Sequence, residues 1–346
     1  MIFIGPTSLS GIGQVTRKYA LLFGADTKYC VFGEDPIPAN EHLFVYALPT
    51  PSWIKGVSIM QKISKSVSVM TICETETVHE DYGKLFALCD TVYVQSEFCR
   101  DIFKRQFPGL CRFQIIHQYV PAICKEIMPE IDFGIPKNRY VFYHIGNILD
   151  PRKNINGILN AFLNCGFEPG TAHLVLKATC LREVHLNGVP DVTVINGLIE
   201  DDRVLQQLHR LCNCYVSFSF SEGIGMGAVE AALHDKPVIV TEYGGAKEYI
   251  KTPYMVKCGR KQLERDDFLF KKGMVWGDPD TESLMEYMRD AYARRLNYMD
   301  HAHTKKITGK ENVLNQFRSA AGAAGGGVDV VGEQDNDADK QAAGHE

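Results

Sequence analysis

The chain has 346 residues, of which 45% are hydrophobic and 23% are charged, and its 37 basic and 42 acidic residues give a formal net charge of −5. This is ordinary globular composition, and the length suits about two domains that each bury a core. The negative charge argues against a protein that coats nucleic acid or binds membranes through a polybasic segment, so no nucleic-acid partner is expected.

Short apolar runs alternate with helical periodicity through the first third of the chain. Strand-like runs lie at 2–4, 29–32, 43–48, 67–73, 91–94 and 113–117, and helical patterns lie at 15–23, 53–63, 82–89 and 97–106. This alternation is typical of parallel βαβ units. A proline-punctuated stretch with little periodicity follows, so we predict a first domain at 1–125 and a linker at 126–138.

A second alternation begins after the linker. Its predicted strands are 140–144, 172–176, 192–195, 214–218 and 237–241, and its predicted helices are 155–163, 203–211, 226–234 and 245–250. These elements predict a second α/β domain at 139–280, followed by C-terminal helices at 281–318. Residues 319–346 are Ala, Gly and acidic residues that bury too little surface to fold alone, so they are predicted to be a disordered tail.

The N-terminus carries no basic segment before a long apolar core, and no run of about 18 apolar residues occurs, so neither a signal peptide nor a transmembrane segment is predicted. The 11 cysteines include no CxxC pair. They indicate reduced, mostly buried thiols, and the expected location is cytoplasmic.

The strongest candidate site is a glycine-rich loop between the strand at 214–218 and the next helix. Gly223, Gly225 and Gly227 let the backbone approach a ligand closely, and the helix N-terminus offers free N–H groups. Glu222 lies at the carboxyl end of the strand, where open α/β sheets bind ligands, and Glu230 lies on the helix. Two carboxylates beside these amides suit a ligand with hydroxyls and phosphates. The alternative is a capped helix with solubilising glutamates.

These residues resemble the signature of retaining family-4 glycosyltransferases. The matching segments are 222–230, the strand 237–241 with Gly244, Gly245 and Glu248, the runs 144–147 and 152–154, the loop 196–199, and Asp278 to Asp280. In the first half, Gly11 to Gly13 resemble the family's glycine loop, and the run 73–76, with 93–100, resembles a mannosyltransferase-like subgroup. The resemblance spans residues 1–318. It implies the α/β GT-B fold, in which two Rossmann-like domains with parallel sheets face each other across a cleft and the last helices return to the first domain.

The resemblance also implies roles for the matched residues. Glu222 would bind hydroxyls of the donor sugar, Arg152 and Lys153 would neutralise the departing diphosphate, and Glu230 would bind the ribose hydroxyls. Glu74 and Glu76 would lie near the acceptor or the sugar, although a solvated loop is the alternative. The other donor-binding candidates are Gly223, Gly225, Met226, Gly227, Gly146, Asn147, Lys177, Leu198, Ile199, Gly11 and Gly13. For Lys177, a phosphate contact and a surface lysine at a strand end are equally weighted.

Two further patterns have alternative interpretations. Asp278 and Asp280 have metal-binding spacing but are better explained as the cap and acidic first turn of a helix, while Asp335 and Asp337 lie in the predicted tail. No metal site is therefore predicted. The helix at 53–63, flanked by lysines, is either a membrane-contacting surface or a helix packed on its sheet, and we favour the packed helix.

The implied activity is retaining, metal-independent transfer of a hexose from a sugar nucleotide to a hydroxyl of a glycan or glycoconjugate. The subgroup resemblance favours GDP-mannose as donor, with a UDP-sugar as the alternative. Two other classes remain open. They are a non-catalytic module that binds nucleotide sugars or glycans, and an NAD-dependent dehydrogenase, although the first glycine loop lacks the third glycine of a dinucleotide fingerprint. No dimer interface is predicted, and a homodimer stays an open alternative.

Overall fold

The structure is a computed structural model that describes residues 1–7, 10–24, 27–123, 129–267 and 269–323. Its first six-stranded sheet has the order β2-β1-β3-β4-β5-β6, and every neighbouring pair is parallel. The elements are β1 (Ile2–Gly5), α1 (Gly11–Leu22), β2 (Tyr29–Val31), β3 (His42–Tyr46), α2 (Pro51–Ile63), β4 (Ser66–Met70), α3 (Asp81–Phe86), β5 (Thr91–Val94), α4 (Glu97–Gln106) and β6 (Arg112–Ile115).

The second six-stranded sheet has the order β12-β11-β10-β7-β8-β9 and is also parallel throughout. Its elements are β7 (Tyr140–Gly146), a 3-10 turn (Pro151–Lys153), α5 (Ile155–Asn164), β8 (Ala172–Ala178), β9 (Val192–Ile195), α6 (Asp202–Leu211), β10 (Cys214–Ser217), α7 (Met226–Leu233), β11 (Val238–Thr241), α8 (Ala246–Tyr249) and β12 (Met255–Val256). These two parallel sheets confirm the predicted α/β class. The described residues 116–123 and 129–139 between the sheets contain no helix or strand.

The remaining elements are β13 (Cys258–Gln262), β14 (Val275–Pro279), α9 (Thr281–Ala293), α10 (Ala302–Thr308) and α11 (Lys310–Ala323). The antiparallel hairpin of β13 and β14 was not predicted, because β13 is polar and largely exposed. The predicted tail boundary at 319 is wrong, since α11 runs to Ala323. Residues 324–346, with Asp335 and Asp337, lie outside the described part of the chain.

The central strands are buried along almost their whole length, because helices cover both faces of a parallel sheet. All residues of β8, β10 and β11 are buried. Side-chain caps set where several helices begin. Ser96 accepts from the Cys99 amide at the start of α4, and Asp280 accepts from the Ser283 amide at the start of α9. The second of these confirms Asp280 as a helix cap.

The last helix packs on the first sheet. Phe317 of α11 is 6% exposed and contacts the rings of Tyr19, Phe23 and Phe44. The helix α2 packs through Trp53, Val57 and Met60, all buried in the core of the first sheet, whereas Ile59 and Ile63 are exposed. No helix in the described residues is long and apolar enough to cross a bilayer.

Candidate active site

The two sheets meet at a cavity of about 650 Å³ lined by residues from both halves of the chain. Its walls are the loops that follow β1, β3 and β4 in the first sheet and β7, β8, β9 and β10 in the second. Carboxyl ends of parallel strands are where open α/β sheets bind ligands. The volume lies within the range of small-molecule sites.

Most of the predicted site residues come together in this cavity. Those that line it are Glu222, Arg152, Lys153, Glu230, Gly225, Met226, Gly227, Gly146, Asn147, Lys177, Leu198, Ile199, Gly11 and Glu74. They come from segments that are more than 200 residues apart in the chain, such as Gly11 and Glu222. The loop geometry at α7 depends on glycine, because Gly225 precedes the helix with a φ of 79°.

Three predicted residues do not line the cavity. Gly13 lies inside the first turn of α1, where its amide donates to the Ser10 side chain at 3.0 Å. That amide is therefore not free to donate to a ligand, which differs from the role that the resemblance implies. Glu76 is not among the residues that line the cavity, and it pairs with Arg260. Gly223 is a packing glycine, since an added Cβ would lie 2.0 Å from the Ile72 side chain of the first half.

Glu222 is bound by Lys153 and Arg152, the two cations that were expected to contact a diphosphate. Its Oε1 accepts from Lys153 Nζ at 2.6 Å and from the Ser219 hydroxyl at 2.7 Å, and its Oε2 accepts from Arg152 at 3.0 Å. Burial opposes ionisation of this carboxyl, but Lys153 and Arg152 outweigh burial and lower its pKa to about 2. Glu222 is therefore a carboxylate that only accepts hydrogen bonds at neutral pH.

Arg152 joins the two halves of the chain. Its Nη1 donates to the Ser221 carbonyl at 2.7 Å and lies 2.9 Å from Oε1 of Glu74, which follows β4 in the first half. Its Nη2 lies 3.1 Å from Asp150. Burial disfavours the guanidinium charge, but Glu74, Glu222 and Asp150 outweigh burial and raise the pKa of Arg152. Burial raises the pKa of Glu74, which Arg152 only partly offsets.

The side chains around Arg152 form a cluster of opposite charges that do not cancel. Glu74, Asp150 and Glu222 contribute three carboxylates, and Arg152 and Lys153 contribute two cations, so the group carries one net negative charge. Removal of Glu74 would leave the cluster neutral. Glu74, which reaches in from the first half, therefore accounts for the excess negative charge and occupies one nitrogen of the Arg152 guanidinium.

Lys18 is a cavity residue that the sequence did not reveal. It lies on α1, and its Nζ is 2.5 Å from Oε1 of Glu230 on α7. The only sequence signal is a lysine within the apolar helical pattern at 15–23, which is common on surface helices as well. Ser219 and Asp150 were also missed, because a serine or aspartate near a loop has no distinctive spacing.

Lys177 is fully buried, which rules out the surface-lysine alternative. Its Nζ donates to the Ala178 and Gly197 carbonyls, both at 2.5 Å, and burial lowers its pKa to about 8. Nearby, the Asn196 side chain exchanges two hydrogen bonds of 2.9 Å with the backbone of Val184. These two hydrogen bonds fix the start of the loop that carries Leu198 and Ile199, both of which line the cavity.

Within the described residues, no group of three or more His, Cys, Asp or Glu side chains is arranged to hold a metal ion. The ten cysteines in that part of the chain are free thiols.

Residues 139–267 match the family model for glycosyl transferases group 1. Among solved structures, the chain resembles a glycosyltransferase from Rickettsia africae with a TM-score of 0.56 and 12% identity, over 91% of this chain and 94% of that one. It also resembles the pneumococcal O-GlcNAc transferase GtfA in complex with UDP and GlcNAc, with a TM-score of 0.51 and 14% identity over 83% of this chain. The match spans only 57% of the pneumococcal chain.

A third similar structure is the S. aureus protein TarM, solved with UDP, with a TM-score of 0.53 and 12% identity over 80% of this chain and 54% of that one. The comparison with curated proteins found no match. At these identities the structural likeness identifies the fold, and that fold is GT-B.

Proposed function

We propose that this chain is a retaining glycosyltransferase that moves a hexose from a sugar nucleotide to a hydroxyl of a glycan or glycoconjugate. The observation that carries the proposal is Glu222, an ionised carboxylate held by Lys153 and Arg152 at the carboxyl end of β10 inside a cavity between two parallel sheets. The family match of residues 139–267 supports it, because that segment contains all three residues.

The cavity suggests an order of subsites for the donor. The sugar would lie by Glu222, which accepts hydrogen bonds from its hydroxyls. The diphosphate would lie by Arg152 and Lys153, since two adjacent cations match its charge. The ribose would lie at Glu230 and the base at the loop of Leu198 and Ile199, which reaches the cavity from β9.

In the proposed reaction the bond between the anomeric carbon and the diphosphate oxygen breaks, and a bond from the acceptor oxygen forms on the same face. The acceptor hydroxyl proton passes to the departing phosphate oxygen. Arg152 and Lys153 would stabilise the charge that develops on the leaving diphosphate, which is the largest electrostatic demand of the step. Glu222 and the backbone near Gly225 would hold the sugar in place.

Metal independence is part of this proposal. Two side-chain cations would supply the charge that a divalent ion supplies in other transferases. The acceptor would enter from the first half of the chain, where Glu74, Tyr46 and Tyr82 line the cavity. Glu74 would then lie between the acceptor hydroxyl and Arg152, beside the transferred sugar.

GDP-mannose is the first proposed donor, because the run 73–76 with 93–100 resembles mannosyltransferase-like sequences. A UDP-sugar is the second candidate. It is favoured by the solved complexes of GtfA and TarM, both of which contain UDP. A non-catalytic nucleotide-sugar module and an NAD-dependent dehydrogenase are the competing classes.

Calorimetric titration of the full chain separates these classes. We expect GDP-mannose or UDP-glucose to release heat without added metal, and NAD to release none. Glu230→Ala should weaken nucleotide binding by about 1–3 kcal/mol, since it removes a partly buried hydrogen-bond acceptor. Turnover with the bound donor, followed by NMR of the anomeric proton, then separates an enzyme from a binding module. An inverted product would refute retention, and heat from NAD alone would refute sugar transfer.

A further inference from the structure

Lys18 is a buried lysine on the wall of the cavity. It lies on the same face of α1 as Gly11, Gln14 and Val15, all of which line the cavity, and its side chain is 6% exposed. Lysines are almost never this buried without a partner, because removing an ammonium group from water is costly. Its position therefore depends on a specific interaction.

That interaction is with Glu230. Nζ of Lys18 lies 2.5 Å from Oε1 of Glu230, and the two residues come from opposite halves of the chain. Burial disfavours the ammonium charge, but the charges of Glu230 and Asp202 outweigh burial and raise the pKa of Lys18. Lys18 is therefore a cation at neutral pH, held across the cleft by a carboxylate.

Both partners keep hydrogen-bonding capacity. Within the described residues, Glu230 is the only hydrogen-bond partner of Lys18 Nζ, and Oε2 of Glu230 has none. The Glu230 side chain is 22% exposed and lines the same cavity. Two N–H donors and one carboxylate oxygen thus lie side by side. A vicinal diol needs this combination, because each hydroxyl both donates and accepts.

We propose that Lys18 completes a ribose subsite, in which its ammonium group donates to a ribose hydroxyl oxygen while Glu230 accepts from the same diol. This inference rests on the proposed function, which puts the donor ribose at Glu230. It adds a specificity-determining residue from the first half of the chain. Since the diol would contact both α1 and α7, donor binding would also hold the two halves together.

The test uses the full chain and calorimetric titration with UDP and GDP and with their 2′-deoxy and 3′-deoxy counterparts. The wild-type protein should bind at least one deoxy form roughly tenfold more weakly, since a hydrogen bond to a charged group is lost. Lys18→Met should bind the ribonucleotide roughly tenfold more weakly than wild type and should discriminate against that deoxy form less than about threefold. Lys62→Met, on the exposed face of α2, is the matched control and should behave as wild type.

Lys18→Arg keeps the charge and should retain most of the discrimination. A Lys18→Met variant that binds as wild type, or that keeps the full discrimination, would overturn the inference. If Lys18→Met does not fold, equal affinity of the wild-type protein for the ribose and both deoxy forms would overturn it as well. Binding of no nucleotide by the wild-type protein would overturn the proposed function together with the inference, whereas binding without dependence on Lys18 overturns the inference alone.

Discussion

Glu74→Gln is expected to tighten nucleotide binding while slowing transfer. Glu74 lies 2.9 Å from Arg152, and both side chains are mostly buried, at 19% and 12% exposure. The substitution keeps the size of the side chain and removes its charge. The carboxylate cluster then changes from one net negative charge to neutral, which favours an incoming diphosphate.

The expected gain comes from relief of the repulsion between the Glu74 carboxylate and the ligand phosphate. A carboxylate about 5 Å from a phosphate oxygen is repelled by roughly 3 kcal/mol at an effective dielectric constant of about 20. Glu74 belongs to the first half of the chain and is partly solvated, whereas Arg152 belongs to the second half. The Glu74 side chain would therefore move away from the phosphate and relieve much of this repulsion. We therefore expect a gain of about 1 kcal/mol, which is roughly fivefold in the dissociation constant.

The assay is calorimetric titration of UDP and GDP into the wild-type protein, Glu74→Gln and Glu76→Gln. Glu76 is the matched control, because it lies two residues further along the chain and pairs with Arg260 outside the cavity. Glu76→Gln should bind as wild type. The transfer rate of Glu74→Gln should fall, since the proposed contact with the acceptor is weakened. Weaker or unchanged nucleotide binding by Glu74→Gln would refute the view that this carboxylate competes with the donor for Arg152.

Three further predictions concern pH, packing and metals. Although burial opposes ionisation, Lys153 and Arg152 lower the pKa of Glu222 from its ordinary 4.5 to about 2 in the folded protein, so its stabilising contribution is present above about pH 4.5 and is lost as pH falls toward 2. Glu222→Gln should therefore unfold more easily than wild type by up to about 3 kcal/mol at pH 7, and urea titrations that show the same difference at pH 3 would contradict this. Phe317→Ala should lose about 3–5 kcal/mol in the same assay because it leaves a cavity among Tyr19, Phe23 and Phe44, while the exposed Ser319→Ala on the same helix should not change stability. Chelation with EDTA should leave the transfer rate unchanged, and a loss that Mg²⁺ or Mn²⁺ restores would exclude the metal-independent step.

Much of the fold was predictable because its information is local. Apolar runs such as 140–144 and 214–218 are buried strands, and their alternation with helical periodicity indicates parallel βαβ units regardless of the rest of the chain. Element ends were less predictable. The helix α1 begins at Gly11 rather than near residue 15, because the Ser10 side chain caps it there. Its first turn contains two glycines, so the apolar pattern that predicted the helix starts later than the helix itself. The hairpin of β13 and β14 has no apolar alternation to reveal it.

The candidate site was predictable where the motif and the cavity lining are the same short segment. Glu222, Gly225 and Glu230 all lie within nine residues, and all line the cavity. Residues chosen one by one from looser patterns were less reliable. Glu74 lines the cavity while Glu76 does not. In an extended chain these two residues would share a face, but the chain bends at 75–77, and the sequence does not reveal that bend.

The two α/β halves and the glycine-rich carboxylate loop follow from local sequence, since strand periodicity and close backbone approach are properties of neighbouring residues. The charges that meet across the cleft become known only when the two halves are packed together. Lys18 and Glu230 are 212 residues apart, and Glu74 reaches Arg152 from the other sheet. Such pairs depend on how two sheets and a returning C-terminal helix pack together. Packing of this kind is set by the summed burial of many side chains, and no single segment encodes it.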